Sequence, residues 1–341
     1  MYPLVSVVIP CFNEEKYIRS LLANILKQDY PPDRLEVFIV DGMSTDRTPE
    51  IIAEYHLQYP NIQLILNEKR FVPFALNLGI QKSRGEVIIR MDAHSVYPEN
   101  YIRSLTDSLF KLKADNVGGV WLTKPADNSI KANAIALALS SSFGIGNSLY
   151  RLGVNKIQKV DTVPFGCFHR SLFDRIGFFD EELLRNQDDE FNARIIENGG
   201  SIYLLPEVAI TYYARPDVSS LIRMFFQYAF FKPLVNRKLK KPATLRQFVP
   251  PVFVLFLFLC WLAVFISPTL FIAYLSGVGL YLLLNLTVTV KSAITNRKWG
   301  LIFYLPWIFF VQHMAYGIGY LKGIITFVII KKNRTTIIPS R

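Results

Sequence analysis

A carboxylate and an imidazole lie two residues apart in Asp92-Ala93-His94, directly after an apolar run at residues 87–91. Side chains two positions apart in an extended chain project to the same side. A carboxylate oxygen and an imidazole nitrogen suit Mn²⁺ or Mg²⁺, and open coordination positions would accept diphosphate oxygens. A short pattern of this kind often forms only a turn. Its position at the end of a predicted strand favours a metal site.

A second polar position follows another apolar run and ends it at Asp41. This carboxylate comes directly after residues 38–40, so it would leave a buried strand and could accept hydrogen bonds from a base or a ribose. Residues 44–46, Ser-Thr-Asp, could also cap the helix that follows. The motif alone leaves both roles open.

A run of acidic residues occurs at residues 186–190, Asn-Gln-Asp-Asp-Glu, where an amphipathic helix is predicted to begin. Acidic side chains in the first turn of a helix are stabilised by the helix dipole, which would account for them structurally. A carboxylate at such a helix end can also act as a general base toward an acceptor hydroxyl. The sequence predicts one of these two roles for Asp188.

The elements that would position these groups alternate along the first 240 residues. Apolar, β-branched runs at residues 5–9, 37–40, 62–66 and 87–91 are separated by helical stretches. This order predicts βαβ units around a parallel sheet, with ligands bound beyond the carboxyl ends of the strands. The sequence has neither a G-x-x-x-x-G-K-[ST] loop nor a G-x-G-x-x-G turn, so P-loop and dinucleotide-binding functions lack support.

The net charge is distributed unevenly along the 341 residues. The chain carries 38 Lys and Arg against 27 Asp and Glu, a formal charge of +11. Residues 243–341 hold nine of the basic residues and none of the acidic ones, which leaves 29 basic and 27 acidic residues in the rest. A basic protein of this kind could bind nucleic acid. Here the excess flanks apolar segments, so a membrane protein is favoured and no nucleic-acid partner is expected.

Three apolar helices are predicted in this C-terminal part, at residues 249–267, 269–290 and 300–330. The 44 residues 247–290 carry no charge, and about 20 apolar residues suffice to span a bilayer. Residues 291–298 carry three positive charges, as expected for a cytosolic loop between spans. One more span would place the basic tail outside, so 300–330 either spans or lies along the interface.

The remaining compositional signals favour a cytosolic location for the first 240 residues. The start of the chain lacks the pattern of a signal peptide. Three scattered cysteines without a Cys-x-x-Cys pair argue against a disulfide framework or a structural zinc site. We expect a multi-pass protein of the inner (plasma) membrane with its first part in the cytosol.

Four segments in order, VSVVIPCFNEEKYI, VDGMSTDRT, RGEVIIRMDAHS and NQDDEFNARI, together resemble the family 2 glycosyltransferases. Further phrases resemble the ExoA-like branch, which is associated with succinoglycan and other exopolysaccharide assembly; they are PPDRLEVFIVDGMSTD, ADNVGG, SSSFGIG, VDTVPFGCF and FDEELLRNQD. The resemblance covers residues 4–240 strongly and the apolar tail more loosely. It implies an α/β fold of GT-A type with a mixed, mainly parallel sheet, followed by C-terminal transmembrane helices.

The resemblance also implies roles for the residues at the ends of the first two strands. Pro10, Phe12 and Glu14 match the segment around the nucleotide base, and Asp41 matches the carboxylate that reads uracil. A nucleotide sugar, most simply a UDP-sugar, is the implied donor.

The implied chemistry is an inverting, metal-assisted hexosyl transfer. Asp92 and His94 fall on the Asp-X-Asp motif that holds Mn²⁺ or Mg²⁺, with His in place of the second Asp. Asp188 matches the catalytic aspartate, and Gln187 replaces the Glu that usually precedes it. Gln227 matches the Gln of a Gln-x-x-Arg-Trp element, but Phe230 stands where Arg would, which argues against a polymerising synthase.

The domain prediction combines these features. Residues 1–240 form a cytosolic GT-A domain, whose residues 211–246 include amphipathic interface helices, and residues 247–334 form the membrane domain. The expected acceptor is a saccharide linked to a polyprenyl diphosphate in the membrane. Two alternatives are a polyprenyl-phosphate sugar synthase and a noncatalytic membrane scaffold.

Overall fold

A computed structural model describes residues 2–242 and 244–332, and it confirms the alternation of strands and helices in the first part of the chain. The four predicted runs are strands β1 to β4. Five further strands, β5 to β9, complete the sheet. The nine bounds are Val5–Cys11, Leu35–Asp41, Ile62–Leu66, Val87–Arg90, Ser95–Val96, Asn116–Lys124, Gln158–Lys159, Cys167–His169 and Ile202–Tyr213.

All nine strands belong to one mixed sheet with the order β3-β2-β1-β4-β8-β6-β9-β5, and β7 pairs with β9. Strand β1 pairs in parallel with both β2 and β4, and β2 pairs in parallel with β3. Strand β8 runs antiparallel to both β4 and β6. Strands β4 and β6 consequently run in the same direction, and their carboxyl ends lie at the same edge of the sheet as those of β1 to β3.

Thirteen α-helices accompany the described strands. Helix α1 begins four residues after Glu14, whose carbonyl accepts hydrogen bonds from the N–H groups of Tyr17 and Ile18. The bounds of α1 to α13 are Ile18–Leu26, Thr48–Gln58, Val72–Lys82, Tyr101–Lys111, Ile130–Ala138, Ser142–Ile145, Leu149–Leu152, Arg170–Ile176, Gln187–Glu197, Val218–Leu239, Val249–Leu259, Pro268–Asn296 and Leu301–Gly323. Short 3-10 turns form at Pro32–Arg34, Leu245–Phe248 and Cys260–Phe265, and a π turn forms at Ile324–Ile329.

The parallel strands are buried on both faces. Every residue of β2 is buried, and its alternating side chains contribute to two separate apolar clusters. Val37 and Ile39 belong to one cluster, while Phe38 and Val40 belong to the other. Continuous apolar runs such as these are typical of parallel sheets covered on both sides.

The chain divides into two compact units, and the division differs from the predicted boundary at residue 240. The first unit comprises Met1–Leu122 and Leu149–Tyr212, and the second comprises Thr123–Ser148 and the chain from Tyr213 onward. Helix α10 falls in the second unit because it packs against α13. The two backbones approach closely at Gly319 and Gly323 of α13, where a Cβ atom would overlap a backbone carbonyl of α10. The assignment of roles to 1–240 and 247–334 stays a prediction.

Three helical segments of the second unit are long and apolar enough to cross a membrane: Leu245–Phe265, Pro268–Asn296 and Leu301–Ile329. They correspond to the three predicted helices, but the first begins earlier than 249 and the second continues beyond 290. Residues 211–213, predicted as part of an amphipathic interface helix, instead end strand β9. The basic tail beyond Lys332 lies outside the described residues.

A buried carboxylate on β2 ties two strands to the turn before β4. Glu36 is 4% exposed, and its Oε1 atom accepts hydrogen bonds from Ser6 Oγ at 2.5 Å and from the N–H groups of Arg84 and Gly85 at 2.6 and 3.1 Å. Burial by itself would raise the pKa of Glu36, but these hydrogen bonds outweigh it and hold the pKa below the ordinary value of 4.5.

We expect Glu36 to make the stability of the first unit depend on pH. A carboxylate with a lowered pKa in the folded state stabilises the fold above its unfolded pKa, and this contribution is lost as the pH falls through the folded value. Glu36→Gln should lower the free energy of unfolding at pH 7 by about 1–3 kcal/mol and flatten its decrease below about pH 4.5. Thermal unfolding across this range measures the effect. The exposed Glu54→Gln serves as control, and an equal effect of both variants would contradict the assignment.

Candidate active site

Asp41 lies at the carboxyl end of β2 and is fully buried, with 0% of its surface exposed. Ser44 holds the carboxylate, because its N–H donates to Oδ2 at 2.8 Å and its hydroxyl donates to Oδ1 at 2.5 Å. The thiol of Cys11 donates to Oδ1 at 3.6 Å. Asp46 precedes the first turn of α2, and its Oδ1 accepts from the N–H of Thr48 at 3.0 Å.

Hydrogen bonds join the segment after β1 to the segment after β2. Asn13 has a left-handed backbone with φ of 52°; its N–H donates to Ser44 Oγ at 2.6 Å, and its Oδ1 accepts from the N–H of Thr45 at 2.7 Å. The N–H of Glu14 donates to Thr48 Oγ1 at 2.7 Å. Two loops that are about 30 residues apart in sequence thus form one structure around Asp41.

The first two residues predicted to flank the base lie directly at this junction. Pro10 is part of β1, opposite Val40 on β2, and Phe12 is the first residue after β1. Both side chains are half-buried. They therefore lie at the same sheet edge as Asp41.

Asp92 and His94 lie together, with Asp92 Oδ1 3.1 Å from His94 Nδ1. Ala93 and His94 form a turn, so the expectation of an extended chain at this motif was wrong, although the side chains still meet. Glu14 approaches from the β1 end, and its Oε1 is 3.6 Å from the same nitrogen. Glu14 thus lies beside the Asp92–His94 pair, in addition to the role predicted for it near the base.

The backbone of Asp92 is held by a buried phenol. The N–H of Asp92 donates to the Tyr97 hydroxyl oxygen at 2.6 Å. Burial, with further contributions from Tyr101 and Asp92, raises the pKa of Tyr97 well above its ordinary value of 10.0. Tyr97 consequently remains neutral over the physiological range and fixes Asp92 without adding charge.

The Asp92–His94 pair offers one carboxylate and one imidazole, with 27% and 34% of the side chains exposed. Among residues 2–242 and 244–332, no group of three or more His, Cys, Asp or Glu side chains is arranged to hold a metal ion. Two protein ligands leave open coordination positions, which substrate phosphates could fill. A site fully enclosed by protein ligands would leave no such positions. The donor chemistry is that of Mn²⁺ or Mg²⁺.

Asp188 lies in the first turn of α9, directly after Gln187, which is 6% exposed. The preceding Asn186 has a left-handed backbone with φ of 60° and makes no capping hydrogen bond through its side chain. The Asp188 carboxylate is half-buried, and its Oδ1 accepts from the N–H of Asp189 at 3.0 Å. Glu190 instead pairs with Arg194 at 2.6 Å. Glu190 is therefore part of an ion pair within α9.

Two residues fix the segment that leads to Asp188: Asn77, which lies outside every predicted motif, and Arg194, which lies within the NQDDEFNARI segment. The Asn77 side chain donates to Phe179 O at 2.9 Å and accepts from Phe179 N–H at 3.0 Å, which closes a pair of hydrogen bonds across 102 residues. Arg194 donates to the carbonyls of Ile176 and Phe178 at 2.5 and 2.8 Å. A Glu190-Arg194 spacing of four on a helix could have indicated the ion pair, but no sequence signal indicates the carbonyl partners.

Gln227 lies in the second unit, on α10, and is 4% exposed. Its predicted role toward the nucleotide stays a prediction.

The mixed sheet and its helices form an α/β fold of the GT-A type. The Glycosyl transferase family 2 model matches residues 6–178, and the chain belongs to that family.

Two relatives are similar to this chain over most of its length. The chain is 29% identical to a dolichyl N-acetyl-alpha-D-glucosaminyl phosphate 3-beta-D-2,3-diacetamido-2,3-dideoxy-beta-D-glucuronosyltransferase of Methanococcus voltae, over 94% of this chain and 97% of the relative. It is 28% identical to the succinoglycan biosynthesis protein ExoA of Rhizobium meliloti, over 72% of this chain and 73% of the relative. The predicted resemblance to ExoA is confirmed.

Solved structures share the fold. The mannosyltransferase PcManGT from Pyrobaculum calidifontis, in complex with GDP-Man and Mn²⁺, has a TM-score of 0.57 and 22% identity, covering 94% of this chain and 86% of its own. TarS 1-349 of S. aureus in complex with UDP-GlcNAc has a TM-score of 0.51 and 17% identity, covering 94% and 92%.

The double hydrogen bond of Asn77 leads to a stability prediction. Asn77→Ala leaves the buried N–H and C=O of Phe179 without partners, which should lower the free energy of unfolding by about 1–3 kcal/mol. Hydrogen exchange at residues 177–181 should become faster. Asn198→Ala, at the exposed end of α9, is the matched control. Unchanged exchange in Asn77→Ala would show that the pair does not hold this segment.

Proposed function

We propose that the protein is an inverting, metal-assisted hexosyltransferase that moves a sugar from a UDP-sugar to a polyprenyl-diphosphate-linked saccharide during exopolysaccharide assembly. The observation that carries this proposal is the convergence of Asp41, Glu14, Asp92 and His94 at one sheet edge. These residues follow or end β1, β2 and β4. The contacts of Ser44 and Asn13 join Asp41 to the segment after β1. Glu14 and Asp92 both approach His94 Nδ1, at 3.6 and 3.1 Å. Similarity to ExoA supports the pathway.

The nucleotide is bound by the junction of the first two strands. Asp41 would accept hydrogen bonds from uracil, and its fixed, buried carboxylate is oriented before the ligand arrives. Pre-orientation by Ser44 lowers the entropy lost on binding. Pro10, Phe12 and Glu14 would flank the base and ribose from the β1 side.

Asp92 and His94 would hold Mn²⁺ or Mg²⁺. When bound, the cation would neutralise charge that grows on the departing nucleoside diphosphate. Tyr97 fixes the Asp92 backbone. Glu14 adds a negative charge 3.6 Å from the imidazole, which favours a cation at this position. The Mn²⁺ of PcManGT supports the choice of ion.

Asp188 would remove the proton from the acceptor hydroxyl. The hydroxyl oxygen attacks the anomeric carbon from the face opposite the diphosphate, so the configuration inverts. Asn77 and Arg194 hold the segment that leads to α9, and Arg194 forms an ion pair with Glu190 of the same helix.

Two observations support an acceptor in the membrane. Three helical segments are long and apolar enough to span a bilayer. The Methanococcus voltae relative is named for transfer onto a dolichyl-phosphate-linked sugar. A polyprenyl-phosphate sugar synthase is the alternative, and the mass of the lipid product separates the two because one carries a monophosphate and the other a diphosphate.

The test of catalysis is Asp188→Asn. Loss of a general base typically lowers kcat by about 10²–10⁴-fold. We expect transfer from UDP-sugars to lipid-linked acceptor to fall by this factor, while Mn²⁺-dependent UDP binding stays within about twofold of wild type. Asp189→Asn is the matched control. If Asp188→Asn transfers sugar at the wild-type rate, Asp188 is not the base; if the wild-type protein neither transfers nor hydrolyses any UDP-sugar, the proposed function fails.

We further propose a multi-pass protein of the plasma membrane with the first unit in the cytosol. Ser267 lies between the first two candidate spans, and Asn296 ends the second. An impermeant maleimide should label Ser267→Cys on intact cells and Asn296→Cys only after permeabilisation, as the positive-inside rule requires. Labelling of Lys332→Cys on intact cells would mean that Leu301–Ile329 spans the membrane, and labelling only after permeabilisation would mean that it lies along the interface. Wild type controls for Cys260, the exposed cysteine of the described chain. The reverse pattern would place the first unit outside.

A further inference from the structure

A row of aromatic rings and guanidinium groups lies in the first unit, at the sheet edge that also carries Asp92. Arg90 is the last residue of β4, and Trp121 lies near the carboxyl end of β6. Phe165, just before β8, lies between them. Together with Tyr150, Arg151 and Tyr212, these residues form the Arg–aromatic cluster.

The rings of the cluster are closely packed. Trp121 stacks on Tyr212, with centroids 4.3 Å apart and planes at 8°, and Tyr150 meets Trp121 edge-on at 5.1 Å. The centroid of the Phe165 ring lies 5.7 Å from that of Trp121. The result is a nearly continuous aromatic wall.

Two guanidinium groups lie against these rings. The central carbon of Arg90 is 5.8 Å from the Phe165 ring, and that of Arg151 is 4.4 Å from the Trp121 ring. Arg151 is 7% exposed. Positive charge is therefore concentrated next to apolar ring faces.

Several donors of the cluster lack acceptors within the described part of the chain. Nε and Nη1 of Arg90 and Nε1 of Trp121 are buried and make no hydrogen bond there. Buried donors without acceptors are rare in proteins, because their lost hydration is not replaced. A guanidinium in this situation is suited to a planar oxyanion that it can bind through two parallel hydrogen bonds.

We propose that the Arg–aromatic cluster binds a hexuronate ring, with Arg90 pairing with its carboxylate and the partly exposed rings of Trp121 and Tyr150 packing against the sugar. A neutral hexose could occupy the wall but would leave the Arg90 donors unpaired, and a site built for a hydrogen-bonding partner rejects ligands that lack it. The inference rests on the proposed function and adds the substrate class. The uronate can belong to the donor or to the terminal sugar of the acceptor.

The donor arm of the test compares UDP, UDP-glucose and UDP-glucuronate by calorimetry with the full-length chain in nanodiscs and Mn²⁺. We expect UDP-glucuronate to bind about tenfold more tightly than UDP-glucose. Arg90→Gln should abolish this preference and leave UDP affinity within about twofold of wild type. Arg34→Gln, at an exposed guanidinium, is the matched control.

The acceptor arm measures binding of methyl glucuronide and methyl glucoside to the UDP-loaded protein. A preference for the glucuronide that Arg90→Gln removes supports the acceptor as the source. Arg90→Lys keeps the charge but loses the planar fork, so it should retain only part of either preference, and it replaces Arg90→Gln if that variant does not fold.

The outcomes separate the two proposals. If UDP binds but neither arm shows a carboxylate preference, or if Arg34→Gln removes it as Arg90→Gln does, the cluster has only a structural role and the inference is overturned. If UDP does not bind at all with Mn²⁺ present, the proposed function itself fails.

Discussion

A parallel sheet covered on both faces leaves its strand ends as the places where polar side chains can collect, and the rest of the first unit depends on this constraint. Strand β2 is buried along its whole length and ends in a buried carboxylate. That carboxylate is stable there because Ser44 supplies two hydrogen bonds, and Ser44 in turn organises the loop after β1. The site is thus a consequence of burial followed by local hydrogen bonding, and each loop at this edge supports its neighbour.

The residues that could be predicted from the sequence are those whose position depends on local periodicity. Asp41 and Asp92 follow apolar runs that can only be strands, so their place at the sheet edge follows from the pattern. The turn at Ala93 and His94 was missed because its shape depends on Tyr97, which binds the Asp92 backbone only when β4 and the following segment pack together. Asn77 was missed for a stronger reason, since its partner lies 102 residues away.

The same distinction applies to the division of the chain. Apolar content predicted three C-terminal helices, because length and hydropathy are local properties. It did not predict that α10 would belong with them, since that packing depends on two glycines of α13 that allow close approach of the backbones. The formal charge of +11 is also divided unevenly, because residues 1–242 are nearly neutral and residues 243–341 are basic and apolar. The absence of Asp and Glu from these last residues fits a membrane segment better than a surface that binds a polyanion.

The second unit is assembled from two pieces of chain that are made at very different times. Gln312 on α13 donates to the carbonyl of Gly144 across 168 residues, and Lys298 donates to Asn133 across 165. During synthesis, α5 and α6 leave the ribosome long before α13 exists. Their apolar faces therefore lack their packing partner until α13 has been synthesised. Biogenesis of this protein is therefore completed from its C-terminal end, and a chain that stops before α13 leaves an early segment without its packing surface.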